Sequence, residues 1–102
     1  MSKLGYCYKA NADYLMKIYL TDRNTPIILC HGNALGQGPI DGKRHGHAWL
    51  EINNSVMDFS NGRTVVMEKS KYYKIGYIKY VHRYTAKEAA IMLLKHQNYG
   101  PW

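Results

Sequence analysis

The spacing of apolar residues predicts a helix near each end of the chain. In segment 7–20 the apolar side chains recur at helical spacing and share one face, formed by Tyr8, Ala12, Leu15, Met16 and Tyr19. Near the C-terminus, Thr85 and Glu88 form a capping-box pattern that opens a second helix, running to about residue 97. The apolar stripe of that helix consists of Ala86, Ala89, Ala90, Leu93 and Leu94.

Shorter segments between the helices have the patterns of β-strands. The apolar run 27–30 is typical of a strand buried on both faces. The glycine-rich segment 32–46 predicts a long loop. Strands linked by tight turns follow at 47–52, 55–59 and 64–67, and a further strand is expected at about 77–81. The tail 98–102 ends on aromatic residues, which we expect to dock on the core. This order predicts one α+β domain over residues 1–102, in which the N-terminal helix carries Cys7 and both helices pack on one face of a small antiparallel sheet.

Composition narrows the class of protein. The chain has 102 residues, of which 46% are hydrophobic and 21% charged, as expected of one folded domain and not of a disordered tail. No apolar run approaches the about 18 residues of a membrane span, so we expect no membrane association. The N-terminal residues include no hydrophobic signal core, and the two cysteines are too few for a disulfide scaffold. These features predict a cytoplasmic protein with reduced thiols.

One of the two cysteines has the position of a nucleophile. Cys7 falls in the first turn of the first helix, where unpaired backbone N–H groups and the helix dipole favour a thiolate. Cys30 lies inside an apolar strand, where burial is expected to raise its pKa and make it inert. Cys7 could also be a small core residue, since cysteine is among the most buried residue types.

The expected hairpin brings a histidine and an aspartate together. If Asn53 and Asn54 form a two-residue turn, counting outward from it places Trp49 opposite Asp58. His47 then shares a face with Asp58 and lies diagonal to it, about 7 Å away at the backbone and within reach of a hydrogen bond. A turn longer by one residue would move Asp58 to the other face. The structural alternatives are a histidine satisfied within its strand and an aspartate that only caps the turn at 60–61.

These residues resemble the papain-like superfamily, and most closely its transglutaminase-like and arylamine N-acetyltransferase branches. The segment Gly46-His47-Ala48-Trp49-Leu50-Glu51 is similar to the His-Ala-Trp strand of transglutaminase-like enzymes. Gly5-Tyr6-Cys7-Tyr8, followed by Asn11, is similar to the cysteine segment of the acetyltransferases. The resemblance covers residues 5–61, and the order of cysteine, histidine and aspartate also matches. The members of both branches are much longer, so coenzyme A binding is not implied.

The resemblance implies acyl transfer through a thioester, as in a peptidase, amidase or acyltransferase acting on a peptide or a small acyl substrate. Cys7 would attack the carbonyl, His47 would carry the proton and Asp58 would hold the imidazole ring. The oxyanion would be bound by the Cys7 backbone N–H and by one further donor, for which we choose Gln37. The residues expected near the substrate are Trp49, His31 and Tyr6, with Trp49 packing over the site. No metal and no other cofactor is implied.

Three other interpretations remain open. Cys30, His31, His45 and His47 could hold zinc, but their spacing is poor for one ion. His31-Gly32 is similar to the His-Gly start of ADP-ribosyltransferases, with Tyr72 or Tyr73 as the second element, but no late glutamate is well placed. Segment 69–84 interleaves basic and aromatic residues, and a non-catalytic module could use Lys71, Lys74 and Lys79 to bind nucleic acid or a partner protein. The simpler interpretation of that segment is an amphipathic strand with its lysines in water.

Overall fold

The computed structural model describes residues 6–35, 44–60 and 63–102. Its elements, in chain order, are α1 (Tyr6–Thr21), β1 (Ile27–Leu35), β2 (Arg44–Ile52), β3 (Ser55–Ser60), β4 (Arg63–Glu68), α2 (Lys69–Ile75), β5 (Lys79–Thr85) and α3 (Ala86–His96). The strands form one antiparallel sheet in the order β4-β3-β2-β1-β5. The predicted α+β class is therefore confirmed. Within the described ranges, no helix is long and apolar enough to span a bilayer.

The main apolar core lies where α1 and α3 cover one face of the sheet. Leu15 of α1 and Ala89 of α3 are completely buried there against the strand residues Ile27, Leu29 and Leu50. The stripe predicted for α1 is correct, because Tyr8, Ala12 and Leu15 are all buried. In α3, Leu94 is instead 79% exposed, since it lies at the margin of the helical stripe and the core is contacted along the line of Ala89.

The opposite face of the sheet is covered by a helix that the sequence patterns did not predict. Tyr72 and Tyr73 of α2 pack against Cys30, Trp49 and Val56, which alternate along their strands with residues of the main core. The two predicted helices do share one face of the sheet, and the additional helix α2 covers the other. The strand expected at 77–81 begins later, at Lys79, because α2 and its C-cap at Gly76 occupy the preceding residues.

The hairpin register is the predicted one. Asn53 and Asn54 form the turn, and Ile52 pairs with Ser55, Glu51 with Val56 and Leu50 with Met57. Both β1 and β2 extend into the segment expected to be a loop, since Leu35 pairs with Arg44. The middle of that segment, residues 36–43, lies outside the described part of the chain.

The C-terminal helix and tail follow the predicted pattern. Thr85 and Glu88 form both hydrogen bonds of the capping box. Beyond α3 the chain returns to the protein body, where the Trp102 ring lies 4.8 Å from the His31 ring and 5.2 Å from the Tyr84 ring, centroid to centroid. The expectation that the aromatic tail docks on the core is confirmed.

Candidate functional site

The candidate site lies where α1 contacts both β2 and β3, beyond the last paired residues of these two strands. Continuing the hairpin register beyond Leu50 and Met57 would set Ala48 opposite Phe59, and the side chain of Asn11 bonds to both of these residues. Its amide nitrogen donates to the Ala48 carbonyl at 3.0 Å and to the Phe59 carbonyl at 3.2 Å. Its oxygen accepts from the Phe59 N–H at 3.0 Å. The amide of Asn11 thus replaces the backbone hydrogen bonds that would otherwise join β2 and β3 here. It also holds the first turns of α1 next to the point where the two strands separate.

His47 and Asp58 are in direct contact beside this point. His47 Nε2 lies 2.8 Å from Asp58 Oδ2, and their side chains are 17% and 8% exposed. Burial by itself raises the pKa of Asp58, but hydrogen bonds from His47, Tyr72 and Asn11 outweigh it and hold that pKa below its usual value. The diagonal contact anticipated from the hairpin register is therefore present.

Tyr72 of α2 completes the surroundings of this pair. Its hydroxyl donates to Asp58 Oδ2 at 2.8 Å and lies 2.9 Å from His47 Nε2. Burial, followed by the charge of Asp58, raises the pKa of Tyr72 well above its ordinary value, so the phenol stays protonated and remains a donor. Tyr72 therefore contacts both His47 and Asp58, and it comes from α2, on the sheet face opposite α1.

Cys7 lies close enough to His47 to affect the protonation of the imidazole. It is the second residue of α1, is 6% exposed, and packs with Tyr8 and Ala48. Burial lowers the pKa of His47, but hydrogen bonds with Asp58 and with Cys7 outweigh it and raise that pKa to about 10. Nε2 contacts Asp58 and Tyr72, so Nδ1 is the ring nitrogen that remains for a further partner.

A second buried carboxylate lies farther along β2. Glu51 is 3% exposed, so the expectation of a solvated strand glutamate is wrong. Its oxygens accept from Trp49 Nε1 at 3.1 Å and from the Tyr73 hydroxyl, and they pair with Lys69 Nζ at 3.2 Å and Arg83 Nε at 3.3 Å. Burial and the charge of Glu51 raise the pKa of the nearby Cys30, which agrees with an inert thiol.

The residues expected near the substrate have different surroundings. Trp49 is completely buried and stacks on the His47 ring, with the ring centroids 5.9 Å apart. This packing helps to fix the orientation of the imidazole. His31 is 3% exposed among Tyr8, Tyr84 and Trp102, and neither of its ring nitrogens has a hydrogen-bond partner among the described residues. Burial of Trp49 and His31 gives both rings a packing role. Gln37 and the side chain of Tyr6 lie outside what the structure describes.

The zinc interpretation gains no support from the arrangement of possible ligands. Cys30 and His31 are consecutive strand residues and point to opposite faces of the sheet. The His45 and His47 rings lie 6.0 Å apart, centroid to centroid. Among the described residues, no group of three or more histidine, cysteine, aspartate or glutamate side chains is arranged to hold a metal ion.

Sequence reasoning assigned no role in this site to two of its residues, Asn11 and Tyr72. Asn11 carried a usable signal, because asparagine is a poor residue for a helix interior and lies one turn after Cys7. Tyr72 carried none, because its role depends on a helix that packs across the sheet from α1.

Comparison with known proteins identifies no relative: no family model matches the chain, and neither the curated proteins nor the solved structures include a match.

Proposed function

We propose that this protein is a cysteine-dependent acyl-transfer enzyme, a peptidase, amidase or acyltransferase, that uses Cys7, His47 and Asp58. The observation that carries the proposal is the contact of one imidazole with a carboxylate at 2.8 Å, near a cysteine in the first turn of a helix that also raises the pKa of that imidazole. A protonated His47 favours the thiolate form of its sulfur neighbour, which is the nucleophilic form. Asp58 and Tyr72 hold the ring in the orientation that serves this purpose.

The reaction proceeds in two halves. The Cys7 thiolate forms a bond to the carbonyl carbon, and the π electrons move to the carbonyl oxygen. The intermediate then expels an amine or alcohol, which takes a proton from the His47 imidazolium and leaves a thioester on Cys7. Water or an acceptor amine next attacks the thioester and gives its proton to His47, and release of the product restores the thiolate.

The negative oxygen of the intermediate needs hydrogen-bond donors. The N–H of Cys7 is suited to this role, because the first N–H groups of a helix have no intrahelical acceptor. Gln37 stays our prediction for the second donor. The low exposure of Cys7 favours a slender acyl group over a bulky one at the sulfur.

The proposal is tested with p-nitrophenyl acetate, whose acyl group would transfer to the nucleophile and release a coloured phenolate. The intact protein should show a burst of phenolate and an acetyl adduct on the peptide that contains Cys7. Cys7→Ala should abolish both signals, and His47→Ala or His47→Gln should slow acylation by about a hundredfold or more.

Matched substitutions serve as controls. Cys30→Ala removes the other thiol, and His82→Ala removes an exposed histidine on β5, so both should leave the burst unchanged. Circular dichroism confirms that each variant is folded. Acetylation that persists in Cys7→Ala, or that proceeds equally fast in both folded His47 variants, contradicts the proposal.

A further inference from the structure

A cationic segment runs along α2 and β5. Residues 69–84 contain five Lys or Arg, five Tyr and no Asp or Glu. Lys69 and Arg83 pair with the buried Glu51. Lys71, Lys74 and Lys79 are exposed, and none of the three forms an ion pair within the described part of the chain. Three positive charges are therefore available to an anionic partner.

Two tyrosines of the same segment extend into solvent instead of packing. Tyr77 is 62% and Tyr80 72% exposed. Both have left-handed backbones, with φ of 48° and 56°, which bulky residues rarely adopt because the side chain then meets the backbone. An amphipathic strand with its lysines in water, the simpler interpretation of the sequence, does not account for these two exposed rings.

The structure places the exposed rings beside the free cations. Arg44 of β2 is exposed and donates from Nη1 to the Tyr77 carbonyl at 2.9 Å. Gly76, just before Tyr77, accepts from the Leu35 N–H at 2.8 Å, and Leu35 pairs with Arg44. Lys79 pairs with Asn33, two residues earlier on β1. Arg44, Tyr77, Lys79 and Tyr80 thus share one end of the sheet, where β5 is the edge strand.

We propose that this end of the sheet, formed by Arg44, Tyr77, Lys79 and Tyr80, binds single-stranded nucleic acid together with the exposed Lys71 and Lys74 of the preceding helix α2. Cations can follow the phosphates while exposed rings stack on unpaired bases, a combination that tolerates many sequences. A duplex hides the faces of its bases, so the two rings favour a single strand. The inference is independent of the acyl-transfer proposal, because none of these six residues belongs to the Cys7, His47 and Asp58 group.

The test is fluorescence anisotropy with a labelled 15-nucleotide thymidine strand, at several salt concentrations between 50 and 200 mM. The intact protein should bind more tightly at low salt. The variant Lys71→Ala/Lys74→Ala/Lys79→Ala should bind at least about tenfold more weakly, with a salt slope reduced by about 2, as expected for three lost phosphate contacts. Tyr77→Leu/Tyr80→Leu should weaken binding about tenfold with little change in the slope.

The controls separate this surface from general charge and from the proposed enzyme. Lys17→Ala/Lys87→Ala/Lys95→Ala removes three exposed lysines elsewhere and should weaken binding less than threefold. Cys7→Ala should bind as well as the intact protein, which keeps a failure here distinct from a failure of the acyl-transfer proposal. No binding at 50 mM salt, equal losses in the two lysine variants, or tighter binding to vesicles with 30% phosphatidylserine than to the strand would each overturn the inference.

Discussion

At the scale of single residues, the buried Asp58 carboxylate organises the candidate site. Oδ2 contacts His47 and Tyr72 at 2.8 Å each, and Asn11 Nδ2 lies 3.5 Å from Oδ1. An unpaired carboxylate in this position would be strongly destabilising, so the partners on α1, β2 and α2 offset the free-energy cost of burying it. The orientation of the His47 ring follows from satisfying this one group.

Replacing Tyr72 with Phe should impair the site while leaving the fold intact. The variant loses the donor to Asp58 and the contact with His47 Nε2, so the free energy of unfolding should fall by about 1–2 kcal/mol. Alkylation of Cys7 by iodoacetamide at pH 7 should slow several-fold, because the His47 ring is held less firmly.

The adjacent Tyr73→Phe is the matched control. It removes a hydrogen bond to Glu51 and should cost similar stability, measured by urea unfolding, with no change in the alkylation rate. Equal alkylation rates in both variants would refute the positioning role of Tyr72.

At the scale of elements, α1 supplies more than its apolar stripe. Asn11 is completely buried. It bonds to Ala48 of β2 and Phe59 of β3, which would pair with each other if the hairpin register continued. This contact explains how a helix on one face contributes to a site whose histidine and aspartate point to the other face. The register of the hairpin and the position of Cys7 are thereby coupled.

Asn11→Ala should therefore loosen β2 and β3 at the open end of their hairpin, away from the turn. It leaves the Phe59 N–H and the Ala48 carbonyl without the side chain that bonds them, and the free energy of unfolding should fall by about 2–3 kcal/mol. Hydrogen exchange at the Phe59 amide should accelerate, because that N–H donates to Asn11 Oδ1. Asn24→Ala, in the exposed turn after α1, should change neither quantity. Unchanged exchange in Asn11→Ala would show that the strands bond to each other directly.

The helix α2 shows where local patterns are insufficient. Its residues, Lys69–Ile75, are few, rich in tyrosine, and without a clear helical stripe, so their propensity favours a strand. In the structure, Tyr72 reaches Asp58 and Tyr73 reaches Glu51, and consecutive residues of a strand could not both be directed to one face. Tertiary contacts decide the conformation of this segment.

At the scale of the whole molecule, the buried His31 and the half-buried His47 have pKa values shifted in opposite directions. Burial, and then the charge of His82, lowers the pKa of His31 from 6.5 to about 4. His47 instead has a raised pKa, because its partners outweigh the effect of burial. The stabilisation from His47 is complete below its unfolded pKa and is lost as the pH rises through its folded value. His31 acts in the opposite sense and penalises the folded state as the pH falls.

The free energy of unfolding should therefore decline between pH 6.5 and pH 4 through His31. Below pH 6.5 the unfolded chain binds a proton that the buried ring cannot accept, and the full shift corresponds to about 3 kcal/mol. His31→Leu replaces the ring with an apolar side chain and should flatten this part of the profile in urea unfolding. His96→Leu, at an exposed position in the last turn of α3, should keep the slope. Parallel profiles for the intact protein and His31→Leu would exclude His31 as the source.

Features that depend on short, regular spacing could be predicted from the residues alone. The faces of α1 and most of α3, the capping box at Thr85 and the hairpin register at Asn53 are local, because backbone geometry repeats with a fixed period. The proximity of His47 and Asp58 followed from that register alone. Three features depend on tertiary contacts: Asn11 bridges the strands, α2 is a helix, and Glu51 is buried. Those features join residues far apart in the chain, and packing and the need to satisfy buried polar groups select them over local preference.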